Sequence, residues 1–208
     1  MEADQDDLAN PFGMDEDCEN CPALCETRET IVHGYGDVSA EFLVLGESPS
    51  NGSEETGVPF TGDDERELLD ILSAVGLCGD PDADAPSLPN AFLTYVTRCR
   101  NPTRPATETE ERNCEPYLNS EIRMINPELI LPVGQRALEA LAFEYTTLSE
   151  DELDIEDRHA TTIRGRGFEL IPMCPPAEQS DDERTKLLEH LSETMGRDYR
   201  QTKGRRGR

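Results

Sequence analysis

The sequence has no tryptophan, only two lysines (Lys186 and Lys203), and no apolar run that approaches the roughly 18 residues of a membrane-spanning helix. The missing apolar run predicts a soluble protein with no membrane partner. The first residues are acidic and lack the basic-then-apolar order of a secretory signal, so we expect a cytoplasmic location. Thiols stay reduced in that compartment, which argues against disulfides among the seven cysteines.

Basic residues are scarce as well, since 19 of them face 45 acidic residues and the formal net charge is -26. A dense carboxylate surface with few lysines is typical of halophilic proteins, because a Debye length of about 3 Å in molar salt screens the self-repulsion. We therefore interpret most acidic runs as solvated surface. Residues 197–208 are the exception, with six basic residues and one acidic residue. This tail is either an arm that binds phosphates or an ordinary flexible terminus.

Four of the cysteines have a spacing that suits one metal centre. Cys18 and Cys21 form a C-x2-C pair, and Cys99 and Cys114 follow far downstream. A [4Fe–4S] cluster takes four thiolates, and folding can bring such distant residues to it. Structural zinc fits the same count, although its ligands usually come as two C-x2-C pairs and fourteen residues separate the second pair here. Unrelated buried thiols are the third possibility, and this inert role is expected of Cys25, Cys78 and Cys174.

Apolar runs that alternate with amphipathic segments predict an α/β protein. Strands are expected at 42–46, 91–99, 128–133 and within 163–173, and helices at 65–77, 107–126, 135–143 and 182–195. Thr107 and Glu110 form a capping box at the start of the second helix. This order indicates a three-layer α/β/α sandwich with a central, mainly parallel sheet of four to five strands. We expect one domain at 18–196, between a flexible acidic N-terminus (1–17) and the basic tail (197–208).

Two consecutive loops after the first strand contain groups that can hold a ligand. Gly46-Glu47-Ser48-Pro49 is followed by the stretch from Gly57 to Gly62, which includes Phe60. Ligands bind at the carboxyl ends of parallel strands, where these loops would gather. An extruded nucleobase is held by stacking on an aromatic ring and by hydrogen bonds to its edge. Alone, however, Phe60 is more typical of a core residue and Glu47 of a strand-end surface residue.

Read in order, the motifs of this chain resemble those of the type-4 uracil-DNA glycosylases, the iron–sulfur branch of that superfamily. The resemblance covers roughly residues 18–177. Each motif is weak alone, but their order and the four matching cysteines are specific. The matching stretches are Cys18-x2-Cys21, Gly46-Glu47-Ser48-Pro49, Gly57-x-Pro59-Phe60-x-Gly62, Thr94 to Pro102, Glu111-x2-Cys114-x-Pro116-Tyr117-Leu118, Asn126 to Gly134 and Arg164-Gly165.

The resemblance implies a monomeric repair enzyme that flips uracil, or another damaged base, out of DNA and hydrolyses its N-glycosidic bond. Glu47 would lie near the sugar and the attacking water. The resemblance also implies three sets of binding residues. The base would be bound by Gly46, Ser48, Phe60 and Tyr95. A structural [4Fe–4S] cluster would be held by Cys18, Cys21, Cys99 and Cys114, and the DNA phosphates would be contacted by Arg100, Arg104, Arg164 and Arg166.

Two residues depart from the family pattern. Tyr95 stands at the position of the base-reading Asn, and Pro175 at that of the His in a late H-P-A/S motif. Loss of one donor that stabilises the leaving group typically lowers the rate by roughly 10²–10³. The sequence therefore predicts slow uracil excision. The alternatives are a catalytically impaired iron–sulfur paralogue that binds DNA and recognises damage, and an electron carrier or zinc-stabilised interaction module.

Overall fold

The computed structural model describes residues 8–63, 65–149, 152–197 and 199. Helices and strands alternate along most of this chain, and a short 3₁₀ turn at Pro176–Glu178 precedes the last helix. The strands are β1 (Tyr35–Gly36), β2 (Phe42–Gly46), β3 (Ala91–Tyr95), β4 (Leu129–Pro132), β5 (Ile163–Arg164) and β6 (Glu169–Leu170). The helices are α1 (Pro22–Cys25), α2 (Asn51–Thr56), α3 (Arg66–Ala74), α4 (Glu108–Ile125), α5 (Gln135–Tyr145), α6 (Ile155–Arg158) and α7 (Asp181–Gly196).

The strands form one sheet in the order β1-β3-β2-β4-β6-β5. The four inner strands β3, β2, β4 and β6 are parallel, whereas β1 and β5 are antiparallel edges. This confirms the mainly parallel sheet, although the described part has six strands where four to five were expected. The extra strand is the two-residue edge β1, which is too short for a hydrophobic pattern to reveal, whereas β5 and β6 lie within the predicted segment 163–173.

Apolar residues on the two faces of the sheet pack against different helices, and this packing gives the three layers. Successive side chains in a strand point to opposite faces. Val44 of β2 therefore packs with residues of α3 and α7, whereas its neighbours Leu43 and Leu45 pack with α4 and α5. The capping box of Thr107 and Glu110 is present at the start of α4, as predicted.

Strand register places two loops side by side at one end of the sheet. Gly46, the last residue of β2, is paired with Tyr95, the last residue of β3. The predicted strand 91–99 is therefore shorter in the structure, because β3 leaves the sheet where its partner β2 ends. The loops after β4 and β6, the second of which contains the turn at 176–178, begin at the same end, because both strands run parallel to β2.

The segments that flank the predicted domain are partly packed against it. Phe12 and Met14, inside the expected flexible segment 1–17, are buried in the core. Arg197 forms an ion pair with Glu169 at 2.7 Å. Residues 1–7, 198 and 200–208 lie outside the described residues, and so does most of the predicted basic arm. Within the described ranges no helix is long and apolar enough to cross a membrane.

Candidate functional site

A cavity of about 420 Å³ opens at the carboxyl ends of β2 and β3. We call it the strand-end cavity. All five residues that the sequence suggested for base contact or catalysis line it, together with Pro175 from the loop after β6. Its lining residues are Gly46, Glu47, Ser48, Phe60, Glu65, Leu68, Tyr95, Val133, Gln135, Ile155, Pro175, Pro176, Ala177 and Glu178.

Glu47 is held at the cavity wall by the first turn of α5. Its Oε1 accepts a hydrogen bond from the backbone N–H of Arg136 at 3.0 Å. Burial raises the pKa of the Glu47 carboxyl, while the Arg136 N–H and guanidinium act in the opposite direction. A side chain at Gly134 would bring its Cβ within 2.5 Å of Oε1. The glycine thus allows the carboxylate to approach the helix, and the contact fixes the orientation of Glu47.

Tyr95 lies beneath the cavity and is fully buried. Its hydroxyl accepts the backbone N–H of Phe60 at 2.9 Å and donates to Oε1 of Glu65, also at 2.9 Å. The Ser53 hydroxyl is 3.2 Å away. Burial raises the pKa of Tyr95 far above its ordinary value, and the charge of Glu65 adds to that shift. The phenol is therefore neutral. Its oxygen, which stands where the family has the Asn side chain, is occupied by hydrogen bonds within the protein.

The same hydroxyl holds Phe60 in an unusual backbone conformation. Phe60 has a φ of +64°, in the left-handed region that non-glycine residues rarely adopt. Its ring lies 4.7 Å from the Tyr95 ring at an interplanar angle of 42°. A Cβ at Gly46 would come within 2.7 Å of the Phe60 ring and 2.8 Å of the Tyr95 ring. Glycine is therefore required at position 46 for both rings to pack against the strand end.

Glu65 is a cavity residue that sequence reasoning missed. It precedes α3, yet its side chain reaches across to accept hydrogen bonds from Tyr95 and from Ser53, the latter at 2.7 Å. Burial raises the pKa of Glu65, and the hydrogen bonds of Ser50, Ser53 and Tyr95 partly offset that effect. No local pattern marks this residue, because its role arises only when the loop before α3 folds against β3.

The four cysteines Cys18, Cys21, Cys99 and Cys114, which we call the cysteine centre, come from the N-terminal segment, the loop after β3 and helix α4. Burial is the main cause that raises the pKa of the last three, and Cys18 adds a charge effect on each of them. The pKa of Cys99 reaches about 11. Cys78 and Cys174 donate to carbonyl oxygens elsewhere, at 3.6 Å and 3.7 Å respectively. No group of three or more His, Cys, Asp or Glu in the described ranges meets the requirements for holding a metal ion.

Polar donors surround the sulfur atoms of the cysteine centre. Arg28 donates from Nη1 to Cys99 Sγ at 3.3 Å and from Nη2 to the carbonyl of Cys18 at 2.7 Å. Asn113 Nδ2 lies 3.5 Å from Cys21 Sγ. Arg98 is almost fully buried beside this region, where it forms an ion pair with Glu121 at 2.7 Å. The contacts of Arg28 and Asn113 would stabilise negative charge on sulfur.

The four proposed phosphate contacts fall into two separate groups. Arg100 and Arg104 lie in the loop after β3, close to the strand-end cavity. Arg100 contacts Asn51 at 3.0 Å, and Arg104 binds both oxygens of Glu110, at 2.7 and 2.8 Å. Arg164 and Arg166 lie in the β5–β6 hairpin at the amino end of β6, so the structure does not bring them to the cavity.

Comparison with known proteins gives a family match. Residues 33–195 match the model of the uracil DNA glycosylase superfamily. A type-4 uracil-DNA glycosylase of Pyrobaculum aerophilum is 31% identical over 137 residues, which are 65% of this chain and 64% of that protein. One of Saccharolobus solfataricus is 30% identical over 163 residues, 77% of this chain and 71% of the relative.

A type-5 enzyme is similar to the same degree. The type-5 uracil-DNA glycosylase of Thermus thermophilus is 33% identical over 147 residues, which cover 60% of this chain and 67% of the relative. The chain spans about 64% of the length of the Pyrobaculum type-4 protein and of a second one from Archaeoglobus fulgidus.

Proposed function

Because this chain belongs to the uracil DNA glycosylase superfamily, we propose that it is a DNA-repair glycosylase that hydrolyses the N-glycosidic bond of uracil or another deaminated base in DNA. One observation carries the proposal. Glu47, Phe60 and Tyr95, from three separate parts of the sequence, line a single cavity at the carboxyl end of a parallel sheet. Ligands of open α/β sheets bind at that end.

The chemistry follows from the charges that develop as the bond breaks. The sugar becomes positive and the leaving base becomes negative. Glu47 is the carboxylate that stabilises the sugar and orients the water, since its Oε1 is fixed by the Arg136 N–H at 3.0 Å. Phe60 supplies an aromatic surface for the extruded base. The arrangement contributes most if the carboxylate is charged when the bond breaks.

The cysteine centre is proposed to hold a structural [4Fe–4S] cluster, as in the type-4 branch that the motifs resemble. Its donor set supports this, because four thiols are accompanied by Arg28 and Asn113 as donors to sulfur. When bound, the cluster would link the N-terminal segment to the loop after β3 and to α4. No redox step is required of it.

DNA is the proposed partner, bound by a monomer in the cytoplasm. Arg100 and Arg104 are the phosphate contacts that the fold favours, since they follow β3 on the cavity side. Each is engaged by a carboxylate, Glu54 for Arg100 and Glu110 for Arg104. Phosphate contact by Arg164 and Arg166 would require DNA to reach the far edge of the sheet.

A second candidate function is a non-catalytic paralogue that recognises damaged DNA. One observation favours it. The Tyr95 hydroxyl is fully engaged by Phe60, Glu65 and Ser53 and offers nothing to a base edge. Pro175, the second departure, has no hydrogen-bond donor.

The two candidates differ in single-turnover base release. Full-length protein purified without oxygen is incubated in molar KCl with oligonucleotides that contain one uracil, hypoxanthine or xanthine. Release of at least one of these bases, lost in Glu47→Gln, supports the glycosylase. DNA binding with no release of any base favours the paralogue.

A further inference from the structure

The strand-end cavity has an unusual charge for a site that releases an anion. Three carboxylates line it, those of Glu47, Glu65 and Glu178. None of the described lining residues is Arg, Lys or His. Uracil departs with a negative charge, which nearby carboxylates repel. Glu47 has a role at the sugar, but Glu65 lies on the base side, next to Tyr95 and Phe60.

The hydrogen bonds of Glu65 show which form of its carboxyl the protein accommodates. Tyr95 donates to Oε1 at 2.9 Å and Ser53 donates to Oε2 at 2.7 Å. Both oxygens are thus acceptors, as in an ionised carboxylate. Hydrogen bonds from Ser50 act on the same carboxyl, so its roughly four lone-pair sites are occupied within the protein. Since Glu65 is only partly buried and lines the cavity, it acts on a bound base through its charge.

The amide that lines the cavity offers a bound base no donor that would offset this negative charge. Gln135 uses its Nε2 to donate to Glu139 at 2.7 Å and to the carbonyl of Leu153 at 3.0 Å. Its Oε1 accepts the backbone N–H of Ile155 at 2.9 Å. Both amide protons are therefore spent within the protein.

We propose that the strand-end cavity selects a base that already carries a positive charge, such as a purine alkylated on a ring nitrogen, in preference to uracil. This rests on the proposed function, namely that the cavity holds an extruded base. The Phe60 and Tyr95 rings also favour a cation, since aromatic faces attract positive charge.

The reaction balances with water as the only other reactant. The oxygen of water bonds to C1′ while the C1′–N bond breaks, and the electron pair of that bond returns to the ring nitrogen of the base. The positive charge of the base is thereby neutralised, and no anion forms beside Glu65. Glu47 takes the proton that the water loses.

The test compares three duplexes that differ in one base. That base is the cationic 7-methylguanine in the first duplex, guanine in the second and uracil in the third. Single-turnover release is measured for the wild type, for Glu65→Gln and for Glu67→Gln, an exposed control that removes the same charge two residues further on. We expect wild type and control to release 7-methylguanine roughly tenfold faster than uracil or more, given the strength of a close charge pair. In Glu65→Gln this ratio should fall to about one or below.

A binding measurement separates failure of this inference from failure of the proposed function. The 2′-fluoro analogues of the same duplexes resist hydrolysis, so their Kd values report base preference without chemistry. If the wild type binds the 7-methylguanine duplex preferentially and Glu65→Gln does not, the inference is supported even when no base is released. The lack of release would then overturn only the glycosylase activity. Equal or tighter binding and faster release of uracil by the wild type would overturn the inference alone. Circular dichroism melting verifies that Glu65→Gln is folded, and Glu178→Gln provides a second cavity variant.

Discussion

The strand-end cavity and the cysteine centre lie on either side of the same short segment of chain and have opposite electrostatics. Tyr95 ends β3 in the cavity, and Cys99 follows four residues later. The cavity contains carboxylates without a cationic side chain among its described lining residues. At the cysteine centre Arg28 donates to sulfur, and Arg98 is buried beside it. A chain with only 19 basic residues thus places one of them on a thiol and a second one nearby, where it pairs with Glu121.

The net charge of the chain therefore does not describe the local charge of either site. Carboxylates cover the surface, but Arg28 donates to Cys99 Sγ, where sulfur would carry negative charge. In the cavity, negative charge is retained around the position of the base. Under the proposals above, the cysteine centre holds an anionic cofactor and the strand-end cavity holds a cationic sugar and base.

The largest expected effect comes from breaking the cysteine centre. Cys99→Ser and Cys114→Ser should abolish bound iron and lower the melting temperature, because metal binding contributes directly to folding stability. Iron and labile sulfide analysis of anaerobically purified protein, with its visible absorbance, measures this. Cys78→Ser is the matched control and should keep its iron. Stoichiometric zinc without iron in the wild type would contradict the cluster.

The second-largest effect is expected from a substitution in the strand-end cavity that leaves the cysteine centre unchanged. Glu47→Gln retains an oxygen that accepts the Arg136 N–H but removes the charge beside the sugar. Single-turnover base release should fall by roughly 10²–10³, as for other pre-organised electrostatic groups. Iron content and melting temperature should stay unchanged. The exposed Glu189→Gln serves as control, and an unchanged rate in Glu47→Gln would show that this carboxylate is only a helix contact.

A smaller effect is expected when the hydroxyl under the cavity is removed. Tyr95→Phe keeps the ring but leaves the Phe60 N–H without its partner, which should cost about 1–3 kcal/mol in the free energy of unfolding. Chemical denaturation measures this cost. Tyr145→Phe, which loses one partly buried bond to Asn119, is the control and should lose less. Equal losses would mean that the Tyr95 hydroxyl does not hold the cavity together.

The smallest effect concerns the loop between the two regions. Arg104 lowers the pKa of Glu110 to about 2, against an ordinary value of about 4.3. The ion pair therefore stabilises the fold above about pH 4.3, and that contribution is lost as the pH falls toward about 2. Glu110→Gln should destabilise the protein at neutral pH and have little effect near pH 2. Glu115→Gln, exposed on the same helix, should show no such pH dependence in denaturation experiments.

Much of the fold could be predicted from the sequence because its signals are local. The apolar run 42–46 and the capping box of Thr107 and Glu110 each specify an element within a few residues. The two-residue edge strand β1 has no such pattern, whereas β5 and β6 fall within the predicted segment 163–173. Burial of Phe12 was also missed, since an acidic surrounding sequence masks one aromatic residue that packs against Phe92.

The site was predictable to a different extent. Motif order identified Gly46, Glu47, Phe60 and Tyr95, which all line the cavity. Glu65 could not be found in this way, because it contributes through a contact with Tyr95, thirty residues further along the chain. Motif order likewise carries no information on which end of the sheet a residue occupies, so Arg164 and Arg166 were grouped with arginines that lie at the other end.

Under the proposed function, the strand-end cavity breaks a glycosidic bond and is slow on uracil because donors to the leaving base are missing. The direct measurement is the single-turnover rate of uracil release by the wild type and by the double variant Tyr95→Asn with Pro175→His, each with Glu47→Gln as a further change. We expect slow release by the wild type, faster release by the double variant, and loss of that gain when Glu47 is replaced. A double variant that binds DNA but releases uracil no faster than the wild type would contradict it.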